Sequence, residues 1–526
     1  MERDKFFWAV VIISVISFAY WAGFAANAMF TFHEYTDVSV YAWSMYYDIH
    51  FPQISNGLQL LIFGNHLSPD NLLVMPFYYI AQSPMTLLIV QDFVVTLAAL
   101  AVYFVAKDLL KSKWFPFFLF AAFILNPGMH GILIFDYHTE MFIPLAYILT
   151  FYFIMKCDRK WLAVSLALLL GSIEEGPYIA ISLAVGIIAY EFFLDKGGEL
   201  RQRRLRLGIY TIIASVAVLA AYWLILHSLL SGYSAGAYAQ LPPYLKAMGY
   251  DVAGGGSSVS SIGSALSFAG TTFSGPLGIF LIYGLVVAFL SFGTAWISIP
   301  LITLWLQLPW LAGLFLGQDI NLFFIFNYYF SLALGPIIVS SILGIMAFNS
   351  NKTLISKLVN RLGAWSKRTI YISSIAAVLI IFALSPIFVY SKNVNNFSQD
   401  FLFQINGSVM NQTRQLHWVM GYIPNNTAVM VPFFTMPYFI NREYLELTPT
   451  NIYYFKPEYI LSDFNLNISL NSISQGQLQG LYSIIVNNTV DNVSEYGLCV
   501  VNGSAALLAL SNLSSTCPTW EPLVLK

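Results

Sequence analysis

The sequence contains repeated runs of about 20 apolar residues, and these runs limit the possible folds more than any other feature. An α-helix of that length crosses a hydrocarbon core of roughly 30 Å. Inside lipid the backbone must satisfy its own hydrogen bonds, so each run is expected to be a helix. Only 10% of the residues are charged, against roughly a quarter in a soluble domain. We therefore predict a polytopic α-helical membrane protein.

Eleven runs are candidate spans, and three of them are short. The predicted number of spans is therefore accurate to within about two. They lie near residues 6–26, 86–106, 114–127, 141–155, 161–173, 177–194, 208–230, 276–292, 297–316, 322–347 and 369–390. The first run lacks a clean cleavage site and is expected to remain as a helix rather than a removed signal peptide.

Basic residues predict the orientation of the chain. Eighteen of the 24 Lys and Arg lie at span ends on one side of the predicted topology. They occupy segments 3–5, 107–113, 156–160, 196–206 and 352–368. Before residue 391 the other side holds only Lys246. Because cytoplasmic loops are enriched in Lys and Arg, we predict a multi-pass protein of the cell membrane with a cytoplasmic N-terminus. The net charge of −2 says nothing about nucleic acid, but no basic tract next to a soluble fold suggests such a partner, so none is expected.

The chain divides into a membrane domain over 1–390 and a predicted extracellular α/β domain over 391–526. The stretches AVMVPFF and YILSDF are typical of buried strands, and YGLCVVNGSAALLAL predicts a hairpin that turns at Asn502-Gly503. Two of the three cysteines, Cys499 and Cys517, lie in this part and are candidates for a disulfide. Candidate glycosylation sites are Asn396, Asn406, Asn411, Asn425, Asn467, Asn487, Asn492, Asn502 and Asn512. Such dense acceptor sequences, together with the topology, favour an archaeal cell surface.

Acidic residues are concentrated on the predicted outer side. They are Glu34, Asp37, Asp48, Asp70, Asp136, Glu140, Asp251 and Asp319. Many carboxylates with few basic partners suggest a site for a metal ion, protons or a hydroxylated substrate. The alternative is an acidic exterior that is merely solvated.

Six of these acids belong to the long first outer loop, residues 27–85, or to the segment after the third span. VSVYAWSMYYDI predicts an amphipathic helix directly after Asp37. His66 and Asp70 would share a helix face, although Pro69 favours a turn. In FDYHTEMFIP the residues Asp136, His138 and Glu140 alternate, so they share one side only in an extended segment.

The stretch GSIEEGPY interrupts an apolar region with Glu174 and Glu175. Glycine and proline break the helix there, and broken helices at membrane depth are tolerated only where protein or water satisfies the backbone. A carboxylate at such a break is a candidate functional group. The simpler interpretation is a helix end that faces water.

Several motifs, in order along nearly the whole chain, resemble the domain-of-unknown-function 2079 family of prokaryotic membrane proteins. They are TDVSVYAW, GNHLSPDNLLVMPFYY, FDYHTEMFIPLAY, EEGPYIAISLAVG, NYYFSLALGP, NNTAVMVPFFTMPYFINREYLELTP and PEYILSDFN. That family is grouped with the fold-C (GT-C) glycosyltransferases, which use lipid-phosphate sugars. The resemblance implies a GT-C-like membrane fold and a role for Asp37 as the carboxylate of the first outer loop.

The resemblance also places His66, Asp136, His138 and Glu175 in family motifs. Two positions depart from the expected pattern: Glu34 and Asp37 are separated by two residues, and Asn327 stands where a histidine is expected. Both departures weigh against a requirement for metal.

The hypothesis that follows is a transferase that moves a sugar from a polyprenyl phosphate to a glycan or protein acceptor on the outer face. Asp37, with Glu34, would be catalytic, with Asp37 as general base. His66, Asp70, Asp136, His138, Glu174 and Glu175 would bind substrate. A divalent metal (Mg or Mn) is a candidate cofactor. Two alternatives are a proton- or cation-coupled transporter and a non-catalytic glycosylated surface protein.

The transferase hypothesis makes a geometric prediction. Asp37, His66, Asp136 and His138 should converge within roughly 10–12 Å, because a general base and the groups that orient it act on one substrate. Glu175 should lie on a cavity wall, the cavity should open towards lipid, and the segment 391–526 should lie beside its mouth.

Overall fold

The computed structural model is mostly helical over the residues that it describes. These residues are 5–30, 37–51, 68–110, 112, 114–134, 136–173, 175–194, 198–233, 299–309, 330–350, 352–353, 356–357, 413–414, 416–418, 420–421, 423–425, 427–431, 433–442, 445–447, 459–463, 497–500 and 506–510. The α-helices among them are α1 (Lys5–Phe30), α2 (Asp37–His50), α3 (Asn71–Ile80), α4 (Pro84–Leu110), α5 (Phe115–Ile124), α6 (Pro127–Ile134), α7 (Phe142–Lys156), α8 (Arg159–Gly171), α9 (Gly176–Phe193), α10 (Glu199–Tyr233), α11 (Pro300–Leu306) and α12 (Ser331–Asn349).

Six helical segments in the described part are long and apolar enough to cross a membrane. They are Lys5–Phe30, Pro84–Leu110, Thr139–Lys156, Gly176–Phe193, Glu199–Tyr222 and Ser331–Asn349. A seventh span results if α5 and α6, which are bent by 42° at Leu125 and Asn126, are counted as one. A helical membrane protein with several spans is therefore confirmed. The count of eleven is not, since the spans predicted near 276–292 and 369–390 lie outside the described residues and α8 has only 13 residues.

The reversal between α7 and α8 shows how local chemistry sets the topology. Cys157 ends α7 in the left-handed region, with φ of 58°. Asp158 follows and accepts a hydrogen bond from the backbone N–H of Trp161 at 3.2 Å, which caps the first turn of α8. Two residues thus turn the chain between antiparallel helices. Cys157 is a free thiol.

Helix α12 forms the centre of the bundle, because almost every one of its residues up to Ile345 is buried. It packs against α7 at Gly335. A Cβ atom on Gly335 would lie 2.8 Å from the Cβ of Tyr147, so only glycine permits this approach. By contrast, α1 carries large exposed apolar side chains such as Trp8 and Ile16, as expected of a helix that faces lipid.

The strands of the C-terminal part form one five-stranded sheet in the order β2-β1-β3-β5-β4. They are β1 (Val429–Val431), β2 (Leu445–Leu447), β3 (Tyr459–Asp463), β4 (Gly497–Val500) and β5 (Ala506–Leu510). Strand β1 is parallel to β2 and β3, whereas β5 is antiparallel to β3 and β4. Strands therefore occur in the three predicted stretches. The turn predicted at Asn502-Gly503 lies outside the described residues, and an independent α/β domain over 391–526 stays a prediction.

Residues 417–442 contact the C-terminal end of α1. The last carbonyls of a helix lack partners within the helix. Here the Tyr438 hydroxyl donates to the carbonyl of Met29 at 2.5 Å, and His417 Nε2 lies 3.0 Å from the carbonyl of Phe30. The His417 ring also stacks on Phe30, with ring centroids 5.0 Å apart.

The same segment contacts α2 and the turn after α3. Trp43 Nε1 donates to the carbonyl of Arg442 at 3.2 Å, and Asn441 Nδ2 donates to the carbonyl of Gln82 at 3.3 Å. The C-terminal part therefore rests beside the helix that begins at Asp37.

Candidate functional site

Asp37 is the first residue of α2 and is the accessible member of a polar cluster. Its carboxylate Oδ2 lies 3.2 Å from His138 Nε2. The Asp37 side chain is 27% exposed, whereas that of His138 is fully buried. A group that contacts a substrate must be accessible, so within this pair only Asp37 can meet one.

His138 lies between two carboxylates. Its Nδ1 is 3.7 Å from Glu140 Oε2, and both side chains are completely buried. An imidazole can donate through both ring nitrogens only when it is protonated. Within the described part of the chain no hydrogen bond to the Glu140 oxygens is formed. His138 is thus the group that compensates Glu140, since a buried carboxylate without a charged or hydrogen-bonding partner is costly.

Asp136 fixes the start of α2 from a distant part of the chain. Its Oδ2 accepts a hydrogen bond from the backbone N–H of Val38 at 2.8 Å, and its Oδ1 accepts one from the N–H of Tyr137 at 2.6 Å. Asp136 therefore satisfies one of the four N–H groups that a helix N-terminus leaves unpaired. Both oxygens face backbone donors, which favours a role in positioning Asp37 over direct contact with substrate.

Gln91 of α4 holds the segment that carries Asp136 and His138. Its Nε2 donates to the carbonyls of Ile132 at 2.9 Å and Asp136 at 3.3 Å, and its Oε1 accepts from the N–H of His138 at 3.0 Å. Sequence reasoning missed this residue. The signal was present, because Gln91 and Asp92 are adjacent polar residues within an apolar run, and polar residues inside a span face the protein interior.

Asp70 lies in the turn before α3 and joins that turn to the end of α8. Its N–H donates to the carbonyl of Gly171 at 3.1 Å, and its Oδ2 accepts from the hydroxyl of Ser172 at 3.1 Å. A Cβ on Gly171 would lie 2.5 Å from Asp70 Oδ1, so glycine is required there. Burial raises the pKa of Asp70 to about 7, and the hydrogen bond from Ser172 opposes this shift.

The turn before α3 is also bonded to the His138 segment. The hydroxyls of Ser68 and Thr139 lie 2.9 Å apart, and the Tyr137 hydroxyl donates to Asn71 Oδ1 at 3.0 Å. Three segments that are far apart in sequence, 68–71, 136–140 and 171–172, thus form one polar layer. We refer to this set as the polar layer.

The structure brings together three of the four residues predicted to converge, Asp37, Asp136 and His138. The fourth, His66, lies outside the described residues, as do Glu34, Glu174 and Asn327. Asp70 belongs to the adjoining turn. The catalytic and substrate-binding roles of all these residues stay predictions.

Glu175 lines a cavity of about 370 Å³ between α9, α11 and α12. Asp37, Asp136 and His138 are not among the described residues that line this cavity. The sequence predicted that Glu175 lies on the wall of the cavity that holds Asp37. The structure places Glu175 on the wall of a separate cavity, away from the Asp37 cluster.

The residues predicted for glycosylation and disulfide formation are mostly outside the described part. Asn425 is exposed in a turn, which is compatible with modification, and the other eight predicted asparagines are not described. Cys499 lies in β4 and Cys517 is not described. These modifications stay predictions.

The sequence suggests Mg or Mn as a cofactor, and such an ion needs a set of donor side chains. Among the described residues no group of three or more His, Cys, Asp and Glu side chains is arranged to hold a metal ion. Magnesium and manganese favour several oxygen ligands, whereas both Asp136 oxygens accept backbone hydrogen bonds and Glu140 lies behind His138. The described residues do not fit such an ion.

Comparison with known proteins gives one family. The family described as predicted membrane protein (DUF2079) matches residues 40–492, which is most of the chain, and Asp37 precedes the matched region by three residues. No curated protein gives a significant match. The chain therefore belongs to the domain-of-unknown-function 2079 family of predicted membrane proteins.

Proposed function

We propose that the protein is an integral membrane glycosyltransferase that moves a sugar from a polyprenyl phosphate to an acceptor hydroxyl on the outer face. One contact carries the proposal: Nε2 of the buried His138 lies 3.2 Å from Oδ2 of the partly exposed Asp37. A carboxylate that is accessible, anchored at a helix start and contacted on one oxygen is suited to general-base catalysis.

In this mechanism Asp37 accepts the proton of the acceptor hydroxyl. The acceptor oxygen forms a bond to the anomeric carbon, and the bond from that carbon to the phosphate oxygen breaks. The electron pair leaves with the polyprenyl phosphate. His138 holds one oxygen of Asp37, and Glu140 lies on the opposite ring nitrogen of His138. The resemblance to GT-C enzymes supports the choice of reaction.

The phosphate of the donor needs a counter-charge. Arg442 lies beside α2, but its guanidinium is buried and donates to the carbonyls of Phe439 at 3.0 Å and Thr427 at 3.1 Å. It therefore serves the fold of the C-terminal part. In our proposal a protonated His66 supplies this counter-charge, and Glu34 and Asp70 orient the donor from the first outer loop. Glu174 stays a candidate substrate contact, whereas Glu175 lines a separate cavity away from Asp37.

The proposed topology has about eleven spans, a cytoplasmic N-terminus and an extracellular, N-glycosylated α/β domain with a Cys499–Cys517 disulfide. The distribution of Lys and Arg supports the orientation. The exposed position of Asn425 and the five-stranded sheet are compatible with an outer domain.

The test is transfer of a radiolabelled sugar from polyprenyl-phosphate sugars by the purified protein in lipid nanodiscs. Asp37→Asn should abolish transfer. Asp48→Asn is the matched control, because it makes the same change on the same helix about 16 Å away along the axis. Transfer by Asp37→Asn at the wild-type rate would remove Asp37 from the mechanism.

A second candidate, a proton-coupled transporter, is favoured by Asp92. This residue lies inside the α4 span, is 2% exposed, and its Oδ2 accepts no hydrogen bond from the described residues. Ionisable groups inside spans often mark proton pathways. Proteoliposomes with an internal pH-sensitive dye would report proton entry that Asp92→Asn abolishes and Asp37→Asn leaves intact. If instead Asp37→Asn abolishes sugar transfer and Asp92→Asn leaves it intact, the result supports the transferase.

A further inference from the structure

Helix α3 exposes an apolar face although it is too short to cross a membrane. It has ten residues, NLLVMPFYYI, and none of them is charged. Asn71, Val74 and Tyr78 are buried, whereas the exposed fractions of its large apolar side chains run from 41% at Leu72 to 83% at Ile80. A contiguous exposed apolar face is rare on a soluble surface and marks contact with a partner or with a membrane. The depth of α3 decides between the two.

The end of α8 lies inside the membrane. This helix begins with Arg159 and Lys160, and both side chains are exposed. Because charged side chains are costly in hydrocarbon, the start of α8 lies at or beyond one boundary of the apolar core. The helix rises about 18 Å from Arg159 to Gly171, and a tilt would only lower this value. Since the apolar core is roughly 30 Å thick, Gly171 lies roughly 10 Å inside the opposite boundary.

A second pair of helices gives the same result for another part of the polar layer. Asp108 of α4 and Lys156 of α7 form an ion pair at 2.5 Å, with both side chains 42% exposed. This pair marks the boundary at which α8 begins, three residues after Lys156. From Asp108 back to Gln91 the chain rises about 26 Å. Gln91 accepts a hydrogen bond from the N–H of His138, so this part of the layer also lies within the thickness of the apolar core.

The turn before α3 enters the membrane to reach α8. The Asp70 N–H donates to the carbonyl of Gly171 at 3.1 Å, and the Ser172 hydroxyl donates to Asp70 Oδ2 at 3.1 Å. Non-helical backbone at membrane depth needs such partners from the protein. Because α1 and α4 are both candidate spans, the chain between them lies on one side of the membrane. A segment between them that enters the apolar core and leaves it on the same side is re-entrant.

Helix α3 returns the chain to the membrane surface. It rises about 15 Å over its length. The Thr86 hydroxyl donates to the carbonyl of Ala81 at 2.6 Å, so α3 ends beside the start of α4. Helix α4 begins at Pro84, about 36 Å from the level of Asp108, which is beyond an apolar core of roughly 30 Å. A rise of about 15 Å from the depth of Gly171 reaches this level.

Acyl chains of lipid are the partner that fits the apolar face of α3. Helix α4 is a candidate span, and it leaves Ile89 and Phe93 exposed over the same range of depth. Since α3 packs against α4, its apolar face continues a surface that contacts lipid. We infer that residues 68–80 form the exit limb of a re-entrant segment, with 68–71 inside the membrane and the exposed face of α3 against the acyl chains of one leaflet. The polar layer then lies below the lipid head groups, whether or not the protein transfers sugars.

Site-directed spin labelling of the full chain in phosphatidylcholine nanodiscs tests this placement. Serine replaces the three cysteines, and Leu73→Cys, Phe77→Cys or Ile80→Cys then carries a single nitroxide label. Collisions with oxygen, which concentrates in lipid, are compared with collisions with a nickel chelate, which stays in water. The ratio of oxygen to nickel collisions should be several-fold higher at Leu73 than at Ile80, with Phe77 between them, because α3 rises about 10 Å over these residues.

Two further labels calibrate the ratio. Ile16→Cys on the exposed side of α1 reports lipid, and Glu199→Cys at the start of α10 reports water. Ratios at Leu73 and Phe77 equal to that of Glu199→Cys would show that α3 faces water and would overturn the inference. Low collision rates with both reagents and an immobilised spectrum would show that protein covers the face, which also overturns it. Equal lipid-like ratios at all three positions would mean that α3 lies parallel to the membrane surface, and the re-entrant placement would be wrong.

Discussion

The polar layer and the helix bundle are held together by different forces. In the layer, segments 68–71, 136–140 and 171–172 are joined by hydrogen bonds and close charges between a few polar side chains. In the bundle, α12 packs against α7 through apolar contact and a glycine that permits close approach. A polar contact holds a side chain in one direction, whereas apolar packing mainly requires that volume be filled. The candidate site therefore lies where His138 of the layer meets Asp37 of α2, and the bundle supports it.

The largest effect is expected from breaking the buried pair in the layer. His138→Ala leaves the carboxylate of Glu140 buried without its compensating group, which should cost about 3–5 kcal/mol of unfolding free energy. Unfolding in mixed micelles by titration with sodium dodecyl sulfate measures this cost.

Glu140→Gln, combined with His138→Ala, is the matched control. It removes the uncompensated charge and should recover part of the loss, as a double-mutant cycle would show. If His138→Ala costs less than about 1 kcal/mol, the pair contributes little, because that is the usual value of an exposed ion pair. The polar contacts of the layer would then stabilise the protein no more than exposed ion pairs do, and the contrast with the bundle would be lost.

The next effect tests the bundle. Gly335→Ala places a Cβ 2.8 Å from that of Tyr147 and should destabilise the protein by about 1–3 kcal/mol through overpacking. Gly23→Ala in α1 is the control, because no atom lies within 4 Å of the added Cβ. There the gain in helix propensity should stabilise the helix by about 0.5–1 kcal/mol. Equal effects of the two substitutions would show that α12 is not closely packed.

Much of the bundle could be predicted from the sequence, because the apolar pattern is local. Helix α4 covers Pro84–Leu110 where a span was predicted near 86–106, and α2 covers the predicted amphipathic stretch. The close approach at Gly335 could not be predicted, since it depends on which helix faces α12.

The contacts within the layer were less predictable, because they too depend on which segments the fold brings together. Spacing identified Asp136 and His138 as members of one cluster, but it did not reveal that Asp136 bonds to Val38, 98 residues away. The contribution of Gln91 likewise depends on contacts with carbonyls more than 40 residues distant. Local patterns indicate which residues are polar in an apolar setting, and only the fold decides which of them meet.

A smaller effect should separate positioning from catalysis in the layer. Asp136→Asn keeps the size of the side chain but loses a charged acceptor for the N–H groups of Val38 and Tyr137. Asparagine has only one acceptor oxygen for these two N–H groups, so one buried donor is left unpaired and a loss of about 1–3 kcal/mol in unfolding free energy is expected. If the transferase proposal holds, sugar transfer should fall without vanishing, because Asp37 remains.

The control for this prediction is Asp158→Ala, which removes the cap of α8 at the opposite end of that helix from Gly171. It should cost a similar free energy while transfer stays at the wild-type rate. A complete loss of transfer in Asp136→Asn, with stability unchanged, would instead place Asp136 in direct contact with substrate.

The smallest expected effect is the pH dependence that Asp70 gives to stability. Burial raises the pKa of its carboxyl to about 7 in the folded protein, whereas an unfolded aspartate has a pKa near 3.9. The folded state therefore binds the proton more tightly. The contribution to stability is complete below about pH 4, decreases as the pH rises, and is lost above about pH 7. Between pH 6 and 8 the unfolding free energy should fall by about 1 kcal/mol on this account.

Other groups also titrate in this range, so the informative quantity is the difference between the wild type and Asp70→Asn. An asparagine resembles the protonated acid and leaves the neighbouring Ser172 with an acceptor. Detergent unfolding curves measured from pH 5 to 8 should show the additional slope in the wild type alone. Parallel curves would mean that water reaches Asp70, since burial is the cause of its raised pKa. The junction of α3 and α8 would then belong to the solvated surface, and the polar layer would be limited to the residues around His138.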